Sequence, residues 1–354
     1  MQEQLFLFNQ IPTKAKFPTT RYQGSKLKFV DWIWECIQEI PFYTALDAFG
    51  GTGCVAYKLK QEGKAVTYND ILPFNALIGK ALIENTGITL EKEEIDVLLK
   101  PLPAVEYPHF IEDTFHDIYF TDEENRWLDM ILAHIRNMEN PYKQAIAYFA
   151  LFQSCIIKRP YNLFHRKNLY VRLQDVKRSF GNKKTWDTPF EVHFRKFAKE
   201  ANDAVFDNGE VCKACNSDIF DVKSTYDLVY IDTPYLNDAG VGVDYGDFYH
   251  FLNGMVDYGH WAERIDYNSK HLRLLREDNI WNDANRIRLA FQRLFAQFPE
   301  SILVISYRSN GIPAIQEIVA MLEDSGRKVK MYKSGNMKYV LSNKHSNEVL
   351  LVAK

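Results

Sequence analysis

TALDAFGGTGCVAYKLKQEGKAVTYND, residues 44–70, decides the fold. It opens as a strand, TALDAF (44–49), and breaks at Gly50, Gly51 and Gly53. CVAYKLKQEG (54–63) then reads as a helix, with Gly63 placed to cap its end. AVTYND (65–70) is a second strand and ends in an acid. Strand, glycine turn, helix and strand in that order make the first half of a nucleotide-binding α/β unit. Glycines at such a turn let the backbone approach a ligand and present its N–H groups. The spacing is not the GxGxxG phosphate pattern, which disfavours a dehydrogenase. Asp70 follows Gly50 by 20 residues, about the separation at which an acid meets a ribose hydroxyl in these units. Together they point to a nucleoside-bearing cofactor without a pyrophosphate. The competing reading is a structural turn and a capping Asp.

Downstream, strand patterns return at 227–231, at SILVISYR (301–308) and at EVLLVAK (348–354). Between them and the first unit the pattern is helical. TDEENRWLDMILAHIRNM begins with a capping box, Thr121 to Glu124, and Pro141 suits the first position of the next helix. The apolar run 145–157 carries Gln153 and Ser154 and is shorter than the ~20 residues of a membrane span, so it reads as a buried helix. The expected organisation is an α/β body over 1–75 and 210–354, split by a helical insertion over 76–209.

With 354 residues, 46% of them hydrophobic, the chain can build a sizeable core. Its net charge of -3 does not by itself suggest a polyanion partner. The charge is uneven, however. Residues 158–184 hold nine Lys/Arg (Lys158, Arg159, Arg166, Lys167, Arg172, Lys177, Arg178, Lys183, Lys184) and one acid, Asp175. Tyr161, Phe164, Tyr170 and Phe180 are interleaved with them. Cations for phosphates and aromatics for stacking suit a nucleic acid; a solvated basic face around core aromatics would look the same. The acidic run 91–96 reads as a solvated helix face. Five scattered cysteines fit a reducing cytoplasm. Cys212 and Cys215 lack a second nearby pair, so no metal site is expected. The N-terminus does not read as a signal peptide.

YDLVYIDTPYLN (226–237) poses the chemical question. A buried strand ends in Asp232, Thr233, Pro234 and Tyr235. In open α/β sheets, ligands bind at the carboxyl ends of strands. A carboxylate, a main-chain carbonyl fixed by the following proline and an aromatic plate describe a slot for a planar, amino-bearing base. A capped strand ending in a Pro turn, with Tyr235 packing, is the alternative.

These motifs carry a resemblance. DTPY resembles the D-P-P-Y motif of amino-group DNA methyltransferases, with Thr233 in place of the first proline. DAFGGTG resembles their S-adenosylmethionine loop, F-x-G-x-G, at Phe49, Gly51 and Gly53. RYQGSKLKF (21–29) is similar to the N-terminal motif of the adenine-specific group that includes the Dam-type enzymes (D12 class). The resemblance implies a Rossmann-like α/β methyltransferase sheet with a mainly helical inserted DNA-recognition domain. It implies site-specific methylation of adenine N6 in duplex DNA, with the base flipped out. S-adenosylmethionine is the implied cofactor, and no metal is needed. In the family's common setting the enzyme belongs to a restriction–modification system, with a cognate endonuclease as partner. Asp232, Thr233, Pro234 and Tyr235 would be catalytic. Tyr22, Lys26, Asp47, Phe49 and Gly51 would border the cofactor's methionine end, Asp70 its ribose, and Asp218 or Phe220 its adenine. The basic insertion (Lys158, Arg159, Arg166, Lys167, Arg172, Lys177 and Arg178) would hold DNA, with Arg159, Arg166 and Arg172 as candidates for guanine readout. RNA or cytosine-N4 methylation would use the same site. A non-catalytic DNA-binding subunit would keep the strip and lose the cofactor.

Overall fold

The computed structural model describes residues 15–175, 183–223, 225–237, 240, 242–334 and 348–354. Seven strands form the main sheet: β1 Thr44–Asp47, β2 Ala65–Asn69, β3 Lys213–Cys215, β4 Leu228–Ile231, β5 Ile302–Arg308, β6 Val329–Lys333 and β7 Glu348–Ala353. Their order is β3-β2-β1-β4-β5-β7-β6. All run parallel except β7, which is antiparallel to both of its neighbours. The architecture is the Rossmann-like α/β sheet that the resemblance implies. All four residues of β4 and all six of β7 are buried, because helices cover both faces. β3 and β6, which the sequence reading did not anticipate, are the two edges. They are short, carry lysines and bury little, as edge strands do.

Side chains alternate between two cores, following the two-residue period of a strand. Ala45, Val66, Tyr68, Leu228, Tyr230, Val304 and Leu350 point to one, and Leu46, Val229, Ile231, Leu303, Ile305 and Leu351 to the other. Among the described residues, helices that pack on these faces include α1 Val30–Ile37, α2 Cys54–Gln61, α3 Pro73–Gly79, α4 Asp122–Arg136, α5 Pro141–Ile157, α6 Phe190–Ala204, α7 His250–Val256, α8 Ile287–Gln297 and α9 Ile315–Asp324. The second core takes α8 and α9. The first takes α1 to α7, and most of the buried apolar residues described in the helical segment 76–209 belong to it. They continue the packing that starts on the sheet.

Local signals fix those helices. Thr121 and Glu124 exchange side chain and backbone hydrogen bonds at the start of α4, a capping box. Asn140 accepts from the N–H groups of Tyr142 and Lys143, and Pro141 opens α5. From Ala145 to Ile157 every residue of α5 is buried, Gln153 and Ser154 included. Ser154 Oγ donates to the Ala150 carbonyl one turn back, 2.6 Å, which removes the cost of burying its hydroxyl. Among the described residues no helix is long and apolar enough to cross a membrane.

Candidate active site

The strand order reverses beside β1: β2 and β3 lie on one side, β4 and β5 on the other. Such a switch point leaves a crevice at the strand ends. Asp47 pairs in register with Tyr230, so the glycine turn after β1 and the tetrapeptide after β4 emerge side by side. A cavity of about 700 Å³ opens there. It is lined by Tyr22, Lys26, Asp47, Phe49, Gly51, Asp70, Asp218, Phe220, Asp232, Thr233, Pro234 and Tyr235. The structure thus brings together every residue singled out as catalytic or cofactor-binding.

The turn is glycine-rich for local reasons. Gly51 and Gly53 have φ of +52° and +76°, conformations that L side chains rarely adopt. At Gly50, a Cβ would sit 2.0 Å from the Tyr68 ring. That ring is pinned, since Tyr68 Oη donates to the Gly51 carbonyl at 2.7 Å. Asp70 closes the turn from the other side. Its Oδ2 accepts from Gly51 N at 2.8 Å and Asn75 Nδ2 at 3.1 Å, and its Oδ1 from Leu72 N at 2.8 Å. Burial pushes its pKa up to about 6 against those three donors.

Asp47 is 1% exposed. Its Oδ2 accepts from Ala56 N at 3.2 Å, while Oδ1 is buried with no hydrogen-bond partner. Burial first, with Asp232 and Asp70 adding to it, pushes its pKa up to about 8 against the Ala56 N–H. Such a carboxyl is short of a cation or donor. With Asp47 and Asp70 beside it, the turn end of the pocket suits a positively charged group rather than a pyrophosphate.

At the far end of the cavity Phe220 lies nearly parallel to Trp281, ring centroids 5.9 Å apart and planes at 6°. Trp281 meets Phe49 edge-on at 5.2 Å. The Arg293 guanidinium stands 4.1 Å from the Phe220 centroid. Asp218 caps this turn by accepting from Phe220 N at 3.0 Å. These apolar plates form a place for a flat ring. Tyr22 is clamped between Tyr249 (4.6 Å, 8°) and Tyr245 (5.6 Å, 4°), and Gln23 N donates to Tyr249 Oη at 2.9 Å. The N-terminal motif is thereby stacked onto a segment more than 220 residues away.

The tetrapeptide end is built around an ion triad. Lys26 Nζ lies 2.9 Å from Asp232 Oδ1 and 3.3 Å from Glu348 Oε1. Ser306 Oγ donates to the same Glu348 oxygen at 2.6 Å. Lys26 and Glu348 are buried, whereas the Asp232 side chain keeps 19% of its surface open to the cavity. Burial raises the Asp232 pKa to about 6; Lys26 opposes that rise and Glu348 adds to it. Burial alone would lower the Lys26 pKa, but the two carboxylates outweigh it and hold it well above the usual value. The resemblance assigned Lys26 to the cofactor's methionine end, but its direct contact is with Asp232. Tyr235 presents its ring beside Lys26 (5.9 Å) and Arg308 (5.3 Å), edge-on to Tyr307 at 5.7 Å. Thr233 is 2% exposed.

The basic strip needs correction. Lys158, Arg159 and Arg172 are buried, each within a set of internal acceptors, and cannot serve as phosphate contacts or base readers. Lys158 Nζ donates to the Trp186 and Thr188 carbonyls at 2.7 and 2.6 Å and pairs with Glu124 at 2.9 Å. Arg172 grips both oxygens of Glu124, at 2.9 and 2.7 Å. Arg159 donates to the carbonyls of Tyr119, Leu163 and Arg166 and to Asn168 Oδ1, with its guanidinium 4.3 Å from the Tyr119 ring centroid. Buried cations must be paired in this way. They fasten the segment after α5 to α4. Arg166 and Lys167 are exposed, Lys167 beside Asp117 at 3.0 Å. Tyr161 and Tyr170 are also exposed, and Phe164 is buried. Lys177, Arg178 and Phe180 lie outside the described residues.

Sequence reasoning missed Trp281, Arg293, Tyr245 and Glu348. Trp281 and Arg293 sit in helical or loop stretches without a motif. Tyr245 belongs to the Gly- and aromatic-rich stretch of sequence 239–254, whose composition is an unspecific signal. Glu348 reads as the plain first residue of a strand.

Comparison with known proteins agrees with this arrangement. The family described as D12 class N6 adenine-specific DNA methyltransferase matches residues 22–260. The type II methyltransferase M2.HphI of Haemophilus parahaemolyticus is 31% identical over 341 residues, covering 94% of this chain and 95% of that protein. The type II methyltransferase M.NlaIII of Neisseria lactamica is 23% identical over 320 residues, 86% of this chain and 88% of that one. The modification methylase LlaI of Lactococcus lactis subsp. lactis is 23% identical over 357 residues, 94% of this chain and 55% of that protein.

Proposed function

The chain belongs to the D12 class N6 adenine-specific DNA methyltransferase family, and from that premise we propose that it methylates N6 of an adenine swung out of duplex DNA, at a defined site, with S-adenosylmethionine as donor. The observation that carries this reading is the single cavity in which the glycine turn and Asp232–Tyr235 meet. When bound, the donor supplies a methyl group on a cationic sulfur that leaves as a neutral thioether. Phe220 and Trp281 would form an apolar wall beside its adenine, with Asp70 at its ribose and Asp47 at its ammonium group. Asp47 is the buried acid with an unpartnered oxygen, so a cation is what it lacks.

The exocyclic nitrogen of adenine is a poor nucleophile, because its lone pair is delocalised into the ring. Asp232 accepts a hydrogen bond from one amino hydrogen and the Thr233 carbonyl accepts from the other. Two acceptors favour a pyramidal nitrogen whose lone pair faces the methyl carbon, and they act where positive charge develops; as the N–C bond forms and the C–S bond breaks, the nitrogen gives up one proton, to Asp232 or to water in the cavity. The first proline of the family tetrapeptide is replaced by Thr233, and since the acceptor is main-chain the role survives. Pro234 restricts Thr233 to extended backbone and so fixes that carbonyl. Tyr235 stacks on the extruded base and offsets part of the few kcal/mol that flipping costs. Holding nitrogen, carbon and sulfur in line supplies several kcal/mol more.

Arg166 and Lys167 would meet phosphates, with Tyr161 and Tyr170 exposed beside them. The relatives are named as type II methyltransferases and a modification methylase, which supports a protective role opposite a cognate endonuclease, in the cytoplasm where the DNA is. The test is methylation of a random duplex library with labelled donor, followed by nucleoside mass spectrometry and base-by-base mapping. N6-methyladenine at one recognition sequence is expected, and none from Asp232→Ala, which should still bind donor and DNA. N4-methylcytosine as product, or near-normal turnover by Asp232→Ala, refutes the proposal.

A further inference from the structure

We propose that Glu348 and Lys26 are positioning residues for methyl transfer: Glu348 anchors the Lys26 ammonium, which grips one oxygen of Asp232 and leaves the other turned to the target amino group. This rests on the reading of Asp232 as the acceptor. Glu348 lies outside the residues matched to the family, on β7.

The geometry makes the argument. Lys26 Nζ stands between two carboxylates, 2.9 Å from Asp232 Oδ1 and 3.3 Å from Glu348 Oε1. No other donor among the described residues reaches Asp232, whose remaining surface faces the cavity. Glu348 is held in turn by the Ser306 hydroxyl from β5. A lysine 5% exposed has little freedom to leave two partners for water. One carboxylate with a clamped oxygen and a free one is an oriented acceptor. An unclamped Asp232 would rotate, and in so dry a place it would take up a proton and become a donor.

The other groups facing Asp232 do not replace this cation. Asp47 from β1 and Cys54 from α2 are themselves pushed toward their neutral forms by burial. Tyr230, Tyr235 and Tyr245 have phenols raised above their usual range. Arg308 stands over the Tyr235 ring. Lys26 therefore provides the compensating charge in contact with Asp232, and Glu348 provides the opposing one.

Single-turnover rates against pH, at saturating donor and DNA, test this in Lys26→Met, Glu348→Gln and Lys26→Arg. Lys26→Met should lower the rate on the order of 100-fold and move the acid limb up by roughly one pH unit or more. Glu348→Gln leaves Lys26 with a single carboxylate, so its acid limb should move down, with a smaller loss of rate. Lys26→Arg should return the limb toward wild type while the rate stays reduced, because a fork does not fit a point-charge site. Donor affinity, measured by calorimetry, should change little in all three and reports folding. Limbs that do not move, or that move in the same direction in Lys26→Met and Glu348→Gln, overturn the proposal. So does a Lys26→Met enzyme whose only defect is weakened donor binding. Carboxyl-carbon NMR of labelled aspartate, assigned with Asp232→Asn, follows the same titration without turnover. A wild type that makes no N6-methyladenine yet shows these opposed shifts would remove the functional reading and leave the triad. Normal methylation with unmoved titrations would do the reverse.

Discussion

Asp47→Asn should make the donor-free protein more stable while costing it the donor. Asp47 has an ordinary pKa of 3.8 and one of about 8 in the fold, chiefly from burial. An acid whose folded pKa is raised destabilises progressively as pH climbs: the folded state wants the proton that the unfolded state has released. Stability from this group is complete below about 4 and drains until about 8. Each pH unit in that window is worth about 1.4 kcal/mol, so at pH 7 the wild type has lost on the order of 4 kcal/mol. Asparagine removes that loss and keeps an oxygen for the Ala56 N–H, which Asp47 Oδ2 now accepts at 3.2 Å. Urea unfolding of both proteins at several pH values between 4 and 8.5 gives the answer. The stability difference should be small at pH 4 and widen in favour of Asn with each unit. Asp70 and Asp232, also raised to about 6, are present in both proteins, and Asp47 is still largely protonated where they titrate, so they add little to the difference. Donor affinity at neutral pH should fall in the variant, because a neutral amide cannot answer a cation. A difference that stays flat with pH, or an Asn protein less stable at pH 8, would refute the reasoning.

Arg159→Met should cost about 2–5 kcal/mol of stability, because the Leu163 and Arg166 carbonyls and Asn168 Oδ1 lose a buried donor while the Tyr119 carbonyl keeps Arg172; the shift of its urea midpoint measures this. Arg166→Glu with Lys167→Glu should leave that midpoint in place, weaken DNA binding and flatten its dependence on salt, read by fluorescence anisotropy. Gly50→Ala should lose about 1–3 kcal/mol and most donor affinity, since the new Cβ would fall 2.0 Å from the pinned Tyr68 ring; calorimetry and thermal unfolding report both.

The central strands were legible because buried parallel strands are continuous apolar runs, and their acid-terminated ends break that pattern abruptly. Asp47, Asp70 and Asp232 announce the site for this reason: each stands where a core run stops. The helix starts at Thr121 and Pro141 were legible because capping is local. The edge strands β3 and β6 were not, since an exposed strand need not be apolar. Nor was the inward turn of Lys158, Arg159 and Arg172. Charge along a sequence does not reveal which cations face internal carbonyls, and Glu124, the partner of two of them, lies some 40 residues earlier. Trp281 and Glu348 reach the cavity only through tertiary packing, from segments with no motif of their own.

The clamp on Tyr22 bears on synthesis. A chain leaving the ribosome presents Tyr22 long before Tyr245 and Tyr249 exist to hold it, and Lys26 waits longer still for Glu348. Early portions of a protein fold as they emerge, but here the cavity wall at Lys26 is completed only once Glu348, more than 300 residues further on, has been made. A product terminated before β7 would leave Lys26 with Asp232 alone, so the ion triad forms only in a chain translated through Glu348.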